Sequence, residues 1–427
     1  MDYDVIVIGG GTAGLACAVR LLKSGKNLKI RLIDAGDRFG KKLAATGNGQ
    51  GNISNLDMTA RHYHGGNIPL AAKIACADPY AGARLFDCIF CADEKGRIYP
   101  AGKQASALVD DLIRSVNSLG ITSCASGVKA EKISKSGDFF TVSEEGGVQN
   151  RAKFVVLCTG GKAQKQFKTD GTSYALATSL GHTLTPLYPS LVQLKTDTKY
   201  IKTLKGIRAD CLVSAVCGGK VIAKSRGDVI FTEYGVSGNA VFSVSPYITD
   251  KPTATLSLEF LPDFDEKTVE RSILSKIERG WELSELLSGT LHNQIGRAII
   301  KRAVEEFACE TSGLKAASTH VAVSARGAAS VSKSVASVSD TVVPREIIRV
   351  LKNFTLEVTG NLGFDYAQVT KGGINMGEVS DELESRLVKN LFFAGEILDV
   401  DGDCGGYNLQ WAFTAGMTAA DAILKRI

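Results

Sequence analysis

Val5 to Ile8 form an unbroken apolar run, the pattern of a strand buried on both faces of a parallel sheet. A helical pattern follows from Leu15 to Lys23, and a second strand, Lys29 to Ile33, ends at Asp34. Phe154 to Leu157 read as a further buried strand. Between residues 193 and 260 the pattern changes. CLVSAV, KVIAKS and DVIFTEY alternate apolar and polar residues, ATLSLEF follows, and together they predict a small β-domain. From Asp265 to about Leu314 the spacing is helical. Residues 323–341, rich in Ser, Ala and Val, predict an irregular connection or a weak helix, and Asn353 to Gly360 a strand that rejoins the β-domain. Leu391 to Ala394 predict a short buried strand. From about Asn408, the residues Leu409, Ala412, Phe413, Gly416, Ala420 and Ile423 recur at helical steps.

The strand from Val5 runs into Gly9-Gly10-Gly11-Thr12-Ala13-Gly14, a G-x-G-x-x-G turn at Gly9, Gly11 and Gly14. The first glycine permits the tight turn, the second lets backbone approach a pyrophosphate, and the third allows close packing of helix on strand. The free amides of the following helix can bind phosphate oxygens. Asp34 stands twenty residues after Gly14, where a carboxylate accepts from ribose hydroxyls. No second such turn follows a strand elsewhere. Cys158 to Ala163 (CTGGKA) has the wrong glycine spacing and reads as the return turn of the same domain. One dinucleotide site is therefore expected. The C-terminal segment 391–416 resembles the segment with which a large class of flavoproteins closes FAD into its site, so FAD is the expected occupant and NAD(P)H a transient electron donor.

The fold expected is α/β: a Rossmann-type FAD-binding domain formed from both chain ends, with an inserted β-domain and a helical domain. The boundaries are 1–192 and 371–427 for the first, 193–260 plus 346–370 for the second, and 261–345 for the third. A length of 427 residues suits two or three domains, and 44% hydrophobic with 22% charged residues suits a globular protein. The net charge of +5 does not argue for nucleic acid. No apolar run reaches the roughly 18 residues of a membrane span. Met1-Asp2-Tyr3-Asp4 lacks the basic start of a signal peptide, so the expected compartment is the cytoplasm. The ten cysteines are scattered. Cys88 and Cys91 form one C-x-x-C, expected near a helix end as reduced, packed residues, and Cys404 is expected to have no redox role. His62 and His64 are the only neighbouring histidines, and no metal site is expected.

Gly40 through Asn55, Gly96 to Pro100, Gly181 to Val192, Phe231 to Gly238, Val369 to Gly373 and Glu396 through Trp411 recur in an order that resembles one bacterial flavoprotein family. It is the BaiN/RdsA-like group of FAD-dependent oxidoreductases, which includes a 3-dehydro-bile-acid Δ4,6-reductase and an aminoacetone oxidase. The resemblance covers nearly the whole chain. It departs at Gln50-Gly51, where the family has Arg-Cys or Lys-Cys, and at Asn239, often proline. By this resemblance Gly9, Gly11, Thr12, Ala13 and Gly14 hold the pyrophosphate, Asp34 the ribose, and Lys42 a phosphate or the adenine edge. Val128 offers adenine a backbone contact. Gly47 and Asn52 lie in the loop beside the flavin and Gly160 in the return turn. Gly395, Glu396, Asn408, Leu409 and Gln410 lie along the ribityl chain and isoalloxazine ring. The helix beginning near Asn408 points its positive end at the flavin N1–C2 edge, a stabilisation of about 0.3–1 kcal/mol, rising to about 2 when partly buried.

The resemblance implies a reductase for a C=C bond conjugated to a ketone, of the 3-oxo-Δ4 or Δ4,6 steroid or bile-acid type. Hydride goes to the β-carbon, a hydrogen bond stabilises the enolate, and an acid or water protonates the α-carbon. Tyr407 is the one candidate donor. The alternatives are an oxidase of a small amine, and a flavin-bearing RNA-associated or regulatory protein. The partner expected is a small molecule, with no nucleic acid and no membrane, and the oligomeric state is open. Lys195, Lys199, Lys202, Lys205 and Arg208 face a single acid, Asp197, in a stretch that is either a solvated face or an attractor of an anionic substrate.

Overall fold

The apolar run at the start is the centre of a sheet. In the computed structural model, which describes residues 2–251, 253–311 and 342–427, β1 (Asp2–Ile8) leads into α1 (Thr12–Leu22) and β2 (Ile30–Asp34). The chain continues through β3 (Tyr63–Gly65), α2 (Ile68–Ala75), α3 (Ala105–Ser118), β4 (Ser123–Ser126), β5 (Ala130–Ser136), β6 (Phe139–Glu144), β7 (Gln149–Leu157) and β8 (Tyr188–Ser190). Cys88 and Cys91 do not end a helix. Cys88 lies in a bend and Cys91 in a three-residue strand, Phe90–Ala92, and both are exposed. This edge strand pairs with Arg97–Pro100, whose alternation a helical reading of PYAGARLFDCIFCADEKG overlooked.

The next segment supplies five of the six strands of a closed barrel, β9 (Leu194–Thr196), β10 (Arg208–Cys217), β11 (Lys220–Phe231), β12 (Gly235–Ser237) and β13 (Ala254–Phe260). The stretches KVIAKS and DVIFTEY form one twelve-residue strand rather than two. The ladder simply runs through Gly227. Helices α4 (Glu266–Glu278), α5 (Asn293–Thr311) and α6 (Val342–Lys352) precede β14 (Phe354–Asn361), which pairs with both β13 and β9. One core serves strands and helices alike, with Phe231, Leu256 and Phe354 sharing it with Ile273, Ile299 and Ile347. The expectation for residues 323–341 falls outside the described residues. Asn239 accepts a hydrogen bond from the Asp228 N–H at 2.7 Å.

The chain then returns through β15 (Val369–Lys371), β16 (Leu391–Phe393), β17 (Val400–Gly402) and α7 (Tyr407–Leu424). It forms two compact units, Met1–Leu191 with Gly363–Ile427, and Val192–Leu362. In the first, the strand order is β4-β2-β1-β7-β6-β5, and β16 adds to β7. The pairs β4·β2, β2·β1, β1·β7 and β7·β16 are parallel, and β7·β6 and β6·β5 antiparallel. The two ends of the chain thus build one sheet. They also share helix packing, because a Cβ added at Gly416 of α7 would lie 2.2 Å from the Ala13 carbonyl oxygen of α1.

A buried ion pair pins the far side of this sheet. Arg31 of β2 donates to Glu144 of β6 from Nε at 2.7 Å and from a terminal nitrogen at 2.6 Å, and Asn150 donates to the same carboxylate at 2.8 Å. Removing one partner strands a buried charge. Arg31→Met is expected to lose about 3–5 kcal/mol of stability, and Arg31→Met with Glu144→Leu to regain most of it, read from urea unfolding midpoints.

Candidate functional site

Parallel strands carry their carboxyl ends to one edge, and here four adjacent strands do so in register. Ile8 of β1 pairs with Ile33 of β2 and with Leu157 of β7, and Leu157 pairs with Phe393 of β16. Gly9, Gly160 and Gly395 lie in the loops leaving these strands and Asp34 ends β2, so four separate parts of the sequence meet in one row. Ligands of open α/β sheets bind at this edge.

The three motif glycines have distinct reasons to be glycine. Gly9, at φ +103°, would put a Cβ 2.3 Å from the Cys158 carbonyl oxygen, and one at Gly14 would lie 1.8 Å from the Gly9 oxygen. Those two serve packing within the chain. A Cβ at Gly11 would meet nothing within 4 Å. Space at Gly11 therefore faces away from the protein's own packing, and a phosphate can approach the backbone there. The first intrahelical bond of α1 runs from Leu15 N–H to Gly11 O, so the N–H groups of Thr12, Ala13 and Gly14 have no acceptor within the helix. Gly395, at φ +82°, lies against Ala13, with a Cβ there 2.9 Å from the Ala13 Cβ.

Asp34 accepts from Gly10 N–H and Gly36 N–H, each at 2.6 Å. Burial raises its carboxyl above the ordinary value against the pull of those donors. Val128 sits beside it, its N–H donated to the Asp34 carbonyl at 2.9 Å. Lys42 and Glu396 form a part-buried ion pair at 2.6 Å, and Glu396 also accepts from Thr370 N–H at 3.0 Å. The Thr370 hydroxyl accepts from Lys162 and Ala163 N–H at 2.7 and 3.0 Å, joining the Gly160 turn to Glu396. Two buried hydroxyls nearby, Thr159 in that turn and Tyr174 close to Glu396 and Asp399, have no partner among the described residues. An open glycine, free helix amides and two orphaned hydroxyls on one edge fit a bound dinucleotide better than a filled turn.

Other expected residues have structural duties. Gly47, at φ +57°, packs on Asn52, whose Nδ2 donates to Ser54 O at 2.8 Å and Ile98 O at 3.2 Å. Gly51, at φ +76°, packs on Ala105 and Leu108, a position where the family's cysteine would be strained. Asn408 clamps Gly402, accepting from its N–H at 2.8 Å and donating to its carbonyl at 2.6 Å. Leu409 is half-buried. Gln410 is fully buried and donates to Ala75 O and Asp78 O, so its side-chain amide holds the end of α2. Tyr407 is buried and stacks on His62 at 4.3 Å between ring centroids. Burial drives its phenol well above the ordinary value, which keeps it protonated. Cys404 is exposed and unbridged.

A polar cluster beside α7 was missed. Asp403 accepts from His62 Nδ1 and His64 Nε2, both at 2.9 Å, and Asp57 approaches His62 Nε2 at 3.1 Å. Asp401 is paired across the ladder with His64 and takes the Ser190 hydroxyl at 3.0 Å, its other oxygen having no partner. The available signal was the acid at every second position, Asp399, Asp401 and Asp403, facing the alternation of His62 and His64. Burial pushes Asp401 up to about 7, the opposing His64 charge, Ser190 hydrogen bond and Lys371 charge notwithstanding. An unfolded carboxyl titrates near about 3.9, so the folded chain holds an extra proton between the two values. This contribution is fully present below about pH 4 and lost as pH rises to about 7, amounting to at most about 4 kcal/mol. Asp401→Asn is expected to flatten that loss, seen by comparing urea midpoints at pH 5 and pH 8.

The basic stretch in the barrel unit is largely neutralised. Lys199 pairs with Glu305 at 3.0 Å, Lys205 with Glu233 at 2.5 Å, and Arg208 with Asp228. Among the described residues no helix is long and apolar enough to cross a membrane.

Comparison with known proteins identifies the family. A 3-dehydro-bile acid Δ(4,6)-reductase of Clostridium scindens is 31% identical over 430 residues, covering 98% of each chain. A ribosomal RNA dihydrouridine synthase of Haemophilus influenzae is 26% identical, covering 99% of this chain and 98% of its own. Among solved structures, a 3-ketosteroid Δ1-dehydrogenase from Sterolibacterium denitrificans shares the fold, with a TM-score of 0.51, 12% identity and all of both chains covered. The HI0933-like protein Rossmann domain matches residues 3–422. The chain belongs to this HI0933-like family, in its BaiN/RdsA-like group, and is an FAD-dependent oxidoreductase.

Proposed function

We propose that the protein reduces a carbon–carbon double bond conjugated to a carbonyl, with a 3-oxo-Δ4 or Δ4,6 steroid or bile acid as substrate and NAD(P)H as electron donor. The observation that supports it most is the convergence of four parallel-strand ends on Gly11, Asp34, Gly160 and Gly395 in a chain similar along its whole length to a Δ(4,6)-reductase. When bound, reduced FAD supplies the hydride. The N–H groups of Thr12 to Gly14 hold the pyrophosphate and Asp34 the ribose. Val128 offers its carbonyl to adenine, since its N–H is already donated. With FAD bound, Lys42 and Glu396 would border its ribityl chain, and the start of α7 would stabilise the negative charge that collects on the flavin on reduction. Asn408 and Gln410 contribute through side-chain amides that fix the segments beside the start of that helix. Tyr407, stacked on His62, positions the imidazole.

A second substrate has its own support in the dihydrouridine synthase resemblance. Uracil C5=C6 is conjugated to the C4 carbonyl, so the same hydride addition makes dihydrouridine, and a uridine in RNA is the alternative substrate. Incubating the enzyme with NADH or NADPH separates the two. Loss of the ultraviolet absorbance of a 3-oxo-Δ4 bile acid supports the first, and dihydrouridine in a ribosomal RNA with the enone untouched supports the second. Peroxide formed only with a small amine would replace both by the oxidase.

A further inference from the structure

We propose that His62, Asp403 and His64 form a proton-conducting chain from solvent to buried Asp401, and that Asp401 stores the proton consumed in each reduction. The inference rests on the reductase reading above. It stands on hydrogen bonds that run from Asp57 through His62 and Asp403 to His64, and on the cross-strand pairing of His64 with Asp401. Asp57, its side chain 45% exposed, meets His62 Nε2 at 3.1 Å. His62 Nδ1 meets one oxygen of Asp403 and His64 Nε2 the other, both at 2.9 Å. His64 stands opposite Asp401 in the β3·β17 ladder, and Asp401 is 1% exposed with one oxygen unpartnered. Asp57 is the open end, His62, Asp403 and His64 are each about a fifth exposed, and Asp401 is the buried end. Each imidazole can accept a proton on one nitrogen and release it from the other, and Asp403 can do so with its two oxygens. These are the requirements of a relay.

The chemistry consumes one proton in each turnover. The β-carbon gains hydride and its electron pair, and the π electrons move to the carbonyl oxygen as an enolate. The α-carbon then gains one proton, which leaves Asp401 as carboxylate. A solvent proton restores it through His62, Asp403 and His64, and the chain ends the turnover with its starting charge. The groups facing Asp401 are His64 from β3, Ser190 from β8, Lys371 from β15 and Asp399 from its own segment. Burial alone lowers His64, but its hydrogen bond to Asp403 and the charges of Asp403 and Asp401 outweigh that and favour its protonated form.

The test uses flavin-loaded enzyme, dithionite as reductant and a 3-oxo-Δ4 steroid, without oxygen, in water and deuterium oxide. At pH 6, where burial keeps Asp401 protonated, Asp403→Asn should slow the first turnover less than the later ones. It should slow later turnovers about tenfold and enlarge their solvent isotope effect. His64→Gln should do the same, which guards against one variant failing to fold. Asp401→Asn should slow the first turnover too and remove the limb of the pH profile near neutrality. Later turnovers that match wild type in both relay variants would overturn the relay alone. Reduced wild-type enzyme that the steroid never reoxidises would overturn the reductase reading and the relay with it.

Discussion

Gly11→Val is expected to yield a protein that folds like wild type and purifies without flavin. Gly11 has φ −77° and ψ −166°, a backbone any residue adopts, and a Cβ there touches nothing in the protein. The side chain would instead fill the approach to the free amides of α1. A hundredfold loss of cofactor affinity corresponds to about 2.7 kcal/mol, enough to empty the site during purification. The adjacent glycines should behave differently. Gly14→Ala drives a methyl into the Gly9 carbonyl and should lower the unfolding midpoint itself. Absorbance of the purified variants near the flavin band, set beside their urea midpoints, separates the two effects. A yellow Gly11→Val protein would place the cofactor elsewhere.

Gly416→Val should destabilise the first unit by about 3 kcal/mol or more and release flavin with it. Its Cβ would collide with the Ala13 carbonyl oxygen, a backbone atom in the second residue of α1, which cannot yield without moving the phosphate-binding turn. Ala13 also supports Gly395 from the other side. A residue near the C-terminus is thus expected to control cofactor retention at the N-terminus. Unchanged flavin content and midpoint would contradict a unit built from both ends.

The parts of this architecture legible in the sequence were those with a strong local signature. Val5 to Ile8, the glycine turn and Asp34 declare a phosphate-binding strand–helix–strand because each residue type answers a constraint within twenty positions. The helix from Tyr407 was legible from its spacing, and the strand from Phe354 from its alternation. Long-range pairing was not. Nothing near Asn408 or Gln410 tells whether an amide reaches a ligand or holds a neighbouring loop, and both hold loops. His62 and His64 gave no sign of their role, since Asp401 and Asp403 lie over 330 positions away. Cys88 and Cys91 misled because their surroundings have helical composition while a hydrogen-bonded partner at Arg97–Pro100 draws Phe90–Ala92 into a strand.

The most direct test mixes the purified, flavin-loaded protein anaerobically with NADH or NADPH and then with a 3-oxo-Δ4 bile acid, following the flavin band throughout. The account predicts bleaching by the nicotinamide and recolouring on addition of the enone, with the reduced product formed in proportion. A flavin that ignores both and bleaches only with an amine would contradict it.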